Sequence, residues 1–257
     1  MGACARLTLI HVHEPGAGVS WAKLPTVRDL LLRWGVLAPD ADLEEYGALD
    51  LEVRVQTPVA ADPVGGALES VSQEAPDLLV VGTHRRQGLE RLRRGSVAET
   101  LARASGVSTL FIGEKTRGFV ASDTGEFKLS RVLVPVGPDL DPQASFNEVA
   151  GLLSLMGVRG AHLVLMQVGG YANLEHINTD AFEGYTVVGV RVEGDVVDAI
   201  VDAAEAVDAQ LIAMPTRGRD SLRDRLWGTR TEQVMRRAPC PLLSLPIRSS
   251  VFTQVAV

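Results

Sequence analysis

The chain is short of cysteine. Among its 257 residues only Cys4 and Cys240 are cysteines, and neither belongs to a CxxC pair or to a Cys/His spacing that would hold zinc. That argues against a disulfide framework and a structural zinc site. The two thiols read as reduced, in a cytoplasmic protein, with Cys240 a small core residue of the turn Ala238-Pro239-Cys240-Pro241. Long apolar runs are missing too: no segment reaches the roughly 18 apolar residues that a membrane-spanning helix needs. The short run from Leu7 to Ile10 is broken by His11 and His13, too early for the apolar region of a secretory leader. A basic excess is also lacking. Against 25 Lys and Arg stand 32 Asp and Glu, a net charge of −7, which argues against drawing the whole protein to nucleic acid or an anionic membrane.

What is present is ordinary for a globular chain, 46% apolar and 22% charged. The length suits one large domain or two small ones. A chain of this size buries roughly 70–75% of its unfolded surface and needs no covalent staples. The informative feature is a repeat. Residues 77–112, DLLVVGTHRRQGLERLRRGSVAETLARASGVSTLFI, align without a gap with residues 210–245, QLIAMPTRGRDSLRDRLWGTRTEQVMRRAPCPLLSL. Gly95 and Gly228 fix a register in which Thr83 meets Thr216, Leu89 meets Leu222, Glu99 meets Glu232 and Arg103 meets Arg236.

Each copy reads strand, loop, helix, strand. The apolar runs 78–81 and 211–214 suit strands buried on both faces of a parallel sheet. An arginine-rich loop follows. Gly95-Ser96 and Gly228-Thr229 then open a helix, with Ser96 and Thr229 as N-caps and Glu99 and Glu232 at capping-box spacing. The helices end near Ala104 and Arg237, and Gly106 and Pro239 turn the chain into final strands over 109–112 and 242–245.

Upstream, the second half supplies strands over 131–136, 162–168 and 186–192, and helices over 142–156 and 194–207. The first half supplies strands over 7–12 and 51–56, and helices over 26–34 and 63–73. Alternating strands and helices predict an α/β protein of two tandem, doubly wound, parallel-sheet halves of Rossmann-like type. The halves are expected at 1–113 and 130–247, joined by a linker over 114–129 and followed by a tail over 248–257. Residues 1–5 are too few to hold a counterpart of strand 131–136 and its helix. The first half is therefore expected to lack its initial strand and helix, through a late recorded start or a truncation. The backbone groups so exposed call for an upstream segment, a partner chain or a rearranged sheet.

The repeated loop resembles the nucleotide motif of the universal stress protein family: Gly, two residues, Gly, nine residues, Gly, then Ser or Thr. The first copy reads Gly82-Thr83-His84-Arg85, nine residues, Gly95-Ser96; the second reads Pro215-Thr216-Arg217-Gly218, nine residues, Gly228-Thr229. The resemblance covers most of the chain, in the family's tandem form. It implies an adenine-nucleotide α-hydrolase-like fold and a stress-response binding or signalling role. It also implies a weak site for ATP or a related adenine nucleotide, with magnesium, and self-association as a homodimer through the edge strands near 109–112 and 242–245. In the family, an aspartate closing the first strand contacts the sugar or base, and backbone near the end of the second strand holds the adenine.

The physics of the motif is direct. Glycines let the backbone approach phosphates, and amide groups at a helix start point at an anion with the helix dipole behind them. Carried over by position, the resemblance implies binding residues Val12, Val81, Gly82, Arg85, Gly95, Ser96 and Val97 in the first half. In the second half it implies Val136, Val168, Met214, Gly218, Gly228 and Thr229. The departures matter. Arg85 replaces the second glycine of the first copy, and that half has no strand to bear the aspartate. In the second half Gly137 takes the aspartate position, and Pro215 takes the first glycine's place without a donor N–H. The first half keeps the phosphate side better.

Other features read two ways. Arg85, Arg86, Arg91, Arg93 and Arg94, like Arg217, Arg219, Arg223 and Arg225, suit an anion site or an acidic partner, or simply a solvated face. His11 and His13 face one side of a strand without a third metal ligand, so strand-end packing accounts for them. Asp195, Asp198, Asp202 and Asp208 form an exposed helix face rather than a cation site. Ser96 has no base at a recognisable spacing. No catalytic residue and no metal site are assigned, and neither nucleic acid nor membrane is an expected partner. The leading expectation is a universal-stress-type binding module. The alternatives are a degenerate interaction and dimerisation protein, and a slow ATP hydrolase or related phosphate-handling enzyme.

Overall fold

A computed structural model describes residues 5–16, 26–83, 97–114, 116–170, 174, 176–217 and 227–247. Along the chain its elements are β1 (Ala5–Ile10), α1 (Val27–Arg33), α2 (Leu43–Gly47), β2 (Leu51–Gln56), α3 (Pro63–Glu74) and β3 (Leu79–Thr83). Next come α4 (Val97–Ser105), β4 (Thr109–Gly113), β5 (Arg131–Pro135), α5 (Pro142–Leu155), β6 (His162–Val168) and β7 (Thr186–Val192). The last are α6 (Val196–Ala206), β8 (Leu211–Arg217), α7 (Trp227–Arg237) and β9 (Leu242–Ile247). Two compact units divide the chain: Met1–Pro76 with Val120–Phe127, and Asp77–Phe119 with Lys128–Val257.

The larger unit is built on a seven-stranded sheet in the order β3-β4-β9-β8-β5-β6-β7. From β7 to β9 every neighbour is parallel, and β5 lies between β8 and β6. This is the doubly wound order, and its centre carries the most continuous apolar strand, Val132-Leu133-Val134. All three residues are fully buried, because helices cover both faces. Val132, Val134, Leu163 and Leu165 pack with Phe146, Val149 and Leu153 of α5. The alternate residues Leu133, Met166 and Ile212 pack with Ile200 of α6 and Val234 of α7. Alternation along each strand assigns the two layers.

The last strands of the two repeats meet each other. β4 runs antiparallel to β9, with Leu110 opposite Leu243 and Phe111 opposite Leu242. The edges expected to serve a homodimer are thus paired inside one chain. β3 is then an edge strand, paired to β4 alone among the described residues.

The smaller unit holds β1 and β2, a parallel pair with Leu7 opposite Val53 and Leu9 opposite Val55. β1 and β2 match β6 and β7, and β3 and β4 match β8 and β9. No described strand matches β5, and among the described residues β1–β2 stands as a sheet of its own. Capping boxes start α1 at Thr26 and α2 at Asp42. Trp34 donates its indole N–H to the carbonyl of Ser122 at 3.2 Å. Its ring lies on Gly125, where a Cβ would come within 2.6 Å, so glycine alone lets the chain pass there.

The repeat reaches further upstream than the sequence match suggested. Asp62 caps α3 and Asp195 caps α6 at the offset that relates Gly95 to Gly228. At the same offset, Ala75 and Asp208 close those helices in the left-handed region, at φ 44 and 49 degrees. Strands over 51–56, 162–168 and 186–192 fall where periodicity puts them, whereas α2 was not expected. α7 begins at Trp227, so Gly228 and Thr229 lie inside its first turn, and Thr229 is not its N-cap.

Candidate functional site

In the first repeat Val81 and Gly82 lie at the end of β3 and Val97 opens α4. The N–H of Leu79 donates to Ser108 at 2.9 Å, toward β4. Alternation along a parallel ladder turns the N–H of Gly82 to the opposite side, the edge with no partner strand among the described residues. Gly82 is exposed, and nothing lies within 4 Å of the position a Cβ would take. The site therefore offers a free donor with open space beside it. Thr83 turns away from that space, and its hydroxyl donates to the carbonyl of Ile112 at 3.4 Å. Val97 is the exposed first residue of α4, whose opposite face buries Ala98, Leu101 and Ala102. Val81 packs half-buried on the core cluster that includes Phe111.

The second repeat fills the same place differently. Pro215 is buried and sits opposite Leu245 in the ladder to β9. Ile212 donates to Pro241 on that side, so residue 215 would direct its donor the other way. The β5–β8 ladder has already ended at Leu133 and Ile212. Proline here costs no ladder bond, and it leaves no N–H to offer a ligand. Thr216 repeats the clamp of Thr83, donating to the carbonyl of Leu245 at 3.1 Å, here buried. Val136 is buried and donates to Met166 at 2.8 Å; Val168 and Met214 pack half-buried on the α6–α7 side. At Gly137, the position of the family's aspartate, an added Cβ would meet Leu140 at an ordinary 3.8 Å. Packing does not exclude a side chain there.

Val12 belongs to the smaller unit, where Gly66 of α3 sits against it at a distance that would put a Cβ 3.0 Å from its methyl carbon. Val81, Gly82 and Val97 belong to the larger unit. His13 forms a bridge to Val59, the strand-end role expected of it. Arg85, Gly95, Ser96 and Gly218 lie outside the described residues, as do Arg86, Arg91, Arg93, Arg94, Arg219, Arg223 and Arg225. Glu232 pairs with Arg236 one turn along α7. Among the described residues no group of three His, Cys, Asp or Glu is placed to hold a metal, and no helix is long and apolar enough to cross a membrane. Burial pushes the Cys240 thiol up to about 12, so it stays protonated and inert at neutral pH.

One set of residues escaped the sequence reading. Glu74 at the end of α3 accepts from Thr8 at 3.1 Å and from Gln56 at 2.7 Å, and lies 3.7 Å from the Arg54 guanidinium. The matching positions of the second half are all valine: Val164, Val188, Val190 and Val207. The signal was within reach once the repeat is extended upstream of Asp77.

Comparison with known proteins gives a consistent answer. The fold is similar to the crystal structure of a universal stress protein from Archaeoglobus fulgidus, with a TM-score of 0.58 at 18% identity, over 95% of this chain and 87% of that one. It is also similar to a functionally unknown protein from Pseudomonas aeruginosa, with a TM-score of 0.54 at 15% identity, over 93% of this chain and 92% of that one. A search of curated proteins finds no match. The profile of the Universal stress protein family matches residues 3–113 and 169–246. Those segments make up most of the chain and contain both copies of the repeat, so the chain belongs to the Universal stress protein family.

Proposed function

We propose that the protein is a cytoplasmic stress-response binding module whose first half offers a weak site for ATP or a related adenine nucleotide, with magnesium on its phosphates. One observation carries the reading: Gly82 is exposed, open on its Cα and turned so that its N–H is free, while its counterpart Pro215 is buried and has no N–H. The start of α4 at Val97 lies directly after Gly95-Ser96 of the motif, which suits a helix-start anion site. Division at 1–113 and 130–247 gives each half one copy of the motif. The role assigned is sensing by binding, without a catalytic residue.

A second reading, an interaction protein with both sites degenerate, is favoured by Pro215 and Gly137 in the second half. Because β4 and β9 pair within the chain, a homodimer would use another surface. Calorimetric titration of the purified chain with magnesium-ATP separates the readings, beside a variant carrying Gly95→Val and Ser96→Ala. Binding in the micromolar range that the variant loses is the expected result. A wild-type chain that binds nothing up to millimolar ATP overturns the nucleotide reading in favour of the second.

A further inference from the structure

The second half carries a groove that the repeat does not require. It encloses about 550 Å³ between α6 and the β6–β7 side of the sheet. Its floor is Val164, Met166, Val190 and Val192, and its wall is one face of α6, with Ala199, Ala203 and Val207. Glu193, Asp195, Asp198 and Asp202 stand along it, all of them exposed.

The sister half fixes what the fold itself needs here. Thr8 pairs with Arg54 across β1–β2 as Val164 pairs with Val188 across β6–β7. The ladder bond from His13 to Pro58 corresponds to that from Gly169 to Val192. In the first half these positions hold Thr8, Arg54, Gln56 and Glu74, joined by part-buried hydrogen bonds and an ion pair, with Arg54 exposed at the edge. The same backbone plan thus tolerates polar side chains here. In the second half it holds four valines: Val164, Val190 and Val207 line the groove, and Val188, beside them opposite Val164, is 59% exposed. Apolar surface kept wet where the fold accepts polar residues marks a contact surface.

The rim selects the occupant. A second copy of this face would set carboxylates against carboxylates, in a chain already at −7. Arg237 already sits on Asp198 at 2.6 Å, showing what kind of group the rim receives. The acidic and small residues recur along α6 over three turns, roughly 18 Å, and the alanines let a second backbone come close. We propose that this groove docks an amphipathic helical segment of a partner protein, with apolar side chains on the valine floor and Lys or Arg against the rim. No groove residue belongs to the proposed nucleotide site, so the two stand or fall separately.

The test uses the full chain and a fluorescein-labelled helical peptide of Leu and Lys, about 12 residues long to match α6 in length. Its counterpart carries Glu in place of Lys. One variant transplants the first half's side chains: Val164→Thr, Val188→Arg, Val190→Gln and Val207→Glu. A second, Asp202→Lys, leaves the floor intact and keeps the test open if the first does not fold, which circular dichroism reports. Anisotropy is expected to give saturable binding of the Leu/Lys peptide, weakened by salt and by roughly tenfold or more in either folded variant, with no binding of the Leu/Glu peptide. Equal binding by wild type and variants overturns the proposal, as does equal affinity for the two peptides. Self-association of the wild type that Val188→Arg abolishes also overturns it, since the occupant is then a second copy.

Discussion

β6 and β1 are the same strand of one repeat in two settings. β6 lies between two parallel neighbours with helices on both faces, and Leu163 and Leu165 are fully buried. Among the described residues β1 has one neighbour, it has no fully buried residue, and Leu7 is 39% exposed. The difference is made by β5, which in the second half gives β6 and β8 a shared neighbour and has no counterpart among the described residues of the first. A parallel sheet gains its burial from its central strand. With that strand the half becomes a deep core; without it, β1–β2 leans on α3 and on polar contacts such as Glu74 with Thr8 and Gln56.

The contrast can be broken first by chemistry. At pH 8 Cys240, 1% exposed with its thiol pushed up to about 12, should react with iodoacetamide about a thousandfold more slowly in the folded chain than in urea. A cysteine at its half-buried counterpart, Val107→Cys, should react much faster in the folded chain; mass mapping of tryptic peptides reads both sites. Similar rates for Cys240 folded and unfolded would remove the deep core from the account.

Next come paired truncations. Leu165→Ala should cost about 3 kcal/mol in urea unfolding, whereas Leu9→Ala, at the matching half-buried position, should cost about 1 kcal/mol. Equal losses would mean that β1 is packed as β6 is. Smaller still is the threonine clamp. Thr216→Val should cost about 1 kcal/mol through its buried hydrogen bond, and Thr83→Val no more than about 0.5 kcal/mol. A larger loss at Thr83 would reverse the ranking.

The smallest effect is electrostatic and confined to the smaller unit. Hydrogen bonds from Arg6 and then Arg54 hold Glu52 below its ordinary 4.5, and bonds from Thr26 hold Asp29 below 3.8. A depressed folded value stabilises above the unfolded value and is lost as pH falls through the folded one. The advantage of wild type over Glu52→Gln in urea unfolding should therefore be present at pH 6 and shrink as the pH falls below 4.5. An advantage that grows in acid would contradict the assignment. Asp29 is exposed and the Glu52 side chain 40% exposed, so the effect is slight and weakened by salt.

Most of this was legible in the residues. The repeat gave the α/β plan, and strand lengths followed from continuous apolar runs such as Val132–Val134. The clamp of Thr83 and Thr216 was visible only as an identity; which carbonyl each hydroxyl meets depends on a strand 29 residues on. The start of α7 at Trp227 went unread because capping chemistry marks a helix start only to within a residue or two. The role of Pro215 needed three dimensions as well, because its fit depends on where the β5 ladder stops. The valine groove was hidden by a one-residue change between β2 and α3, relative to β7 and α6, which takes the match out of gapless register.

The central claim is that nucleotide binding, where the chain does it, belongs to the repeat with Gly82 and not to the repeat with Pro215. Photolabelling with magnesium and the γ-azidoanilide of ATP, whose reactive group sits on the terminal phosphate, followed by peptide mapping, tests it most directly. The account predicts label between β3 and α4, competed away by ATP and lost in Gly82→Pro. Competable label between β8 and α7, undiminished in Gly82→Pro, would contradict it.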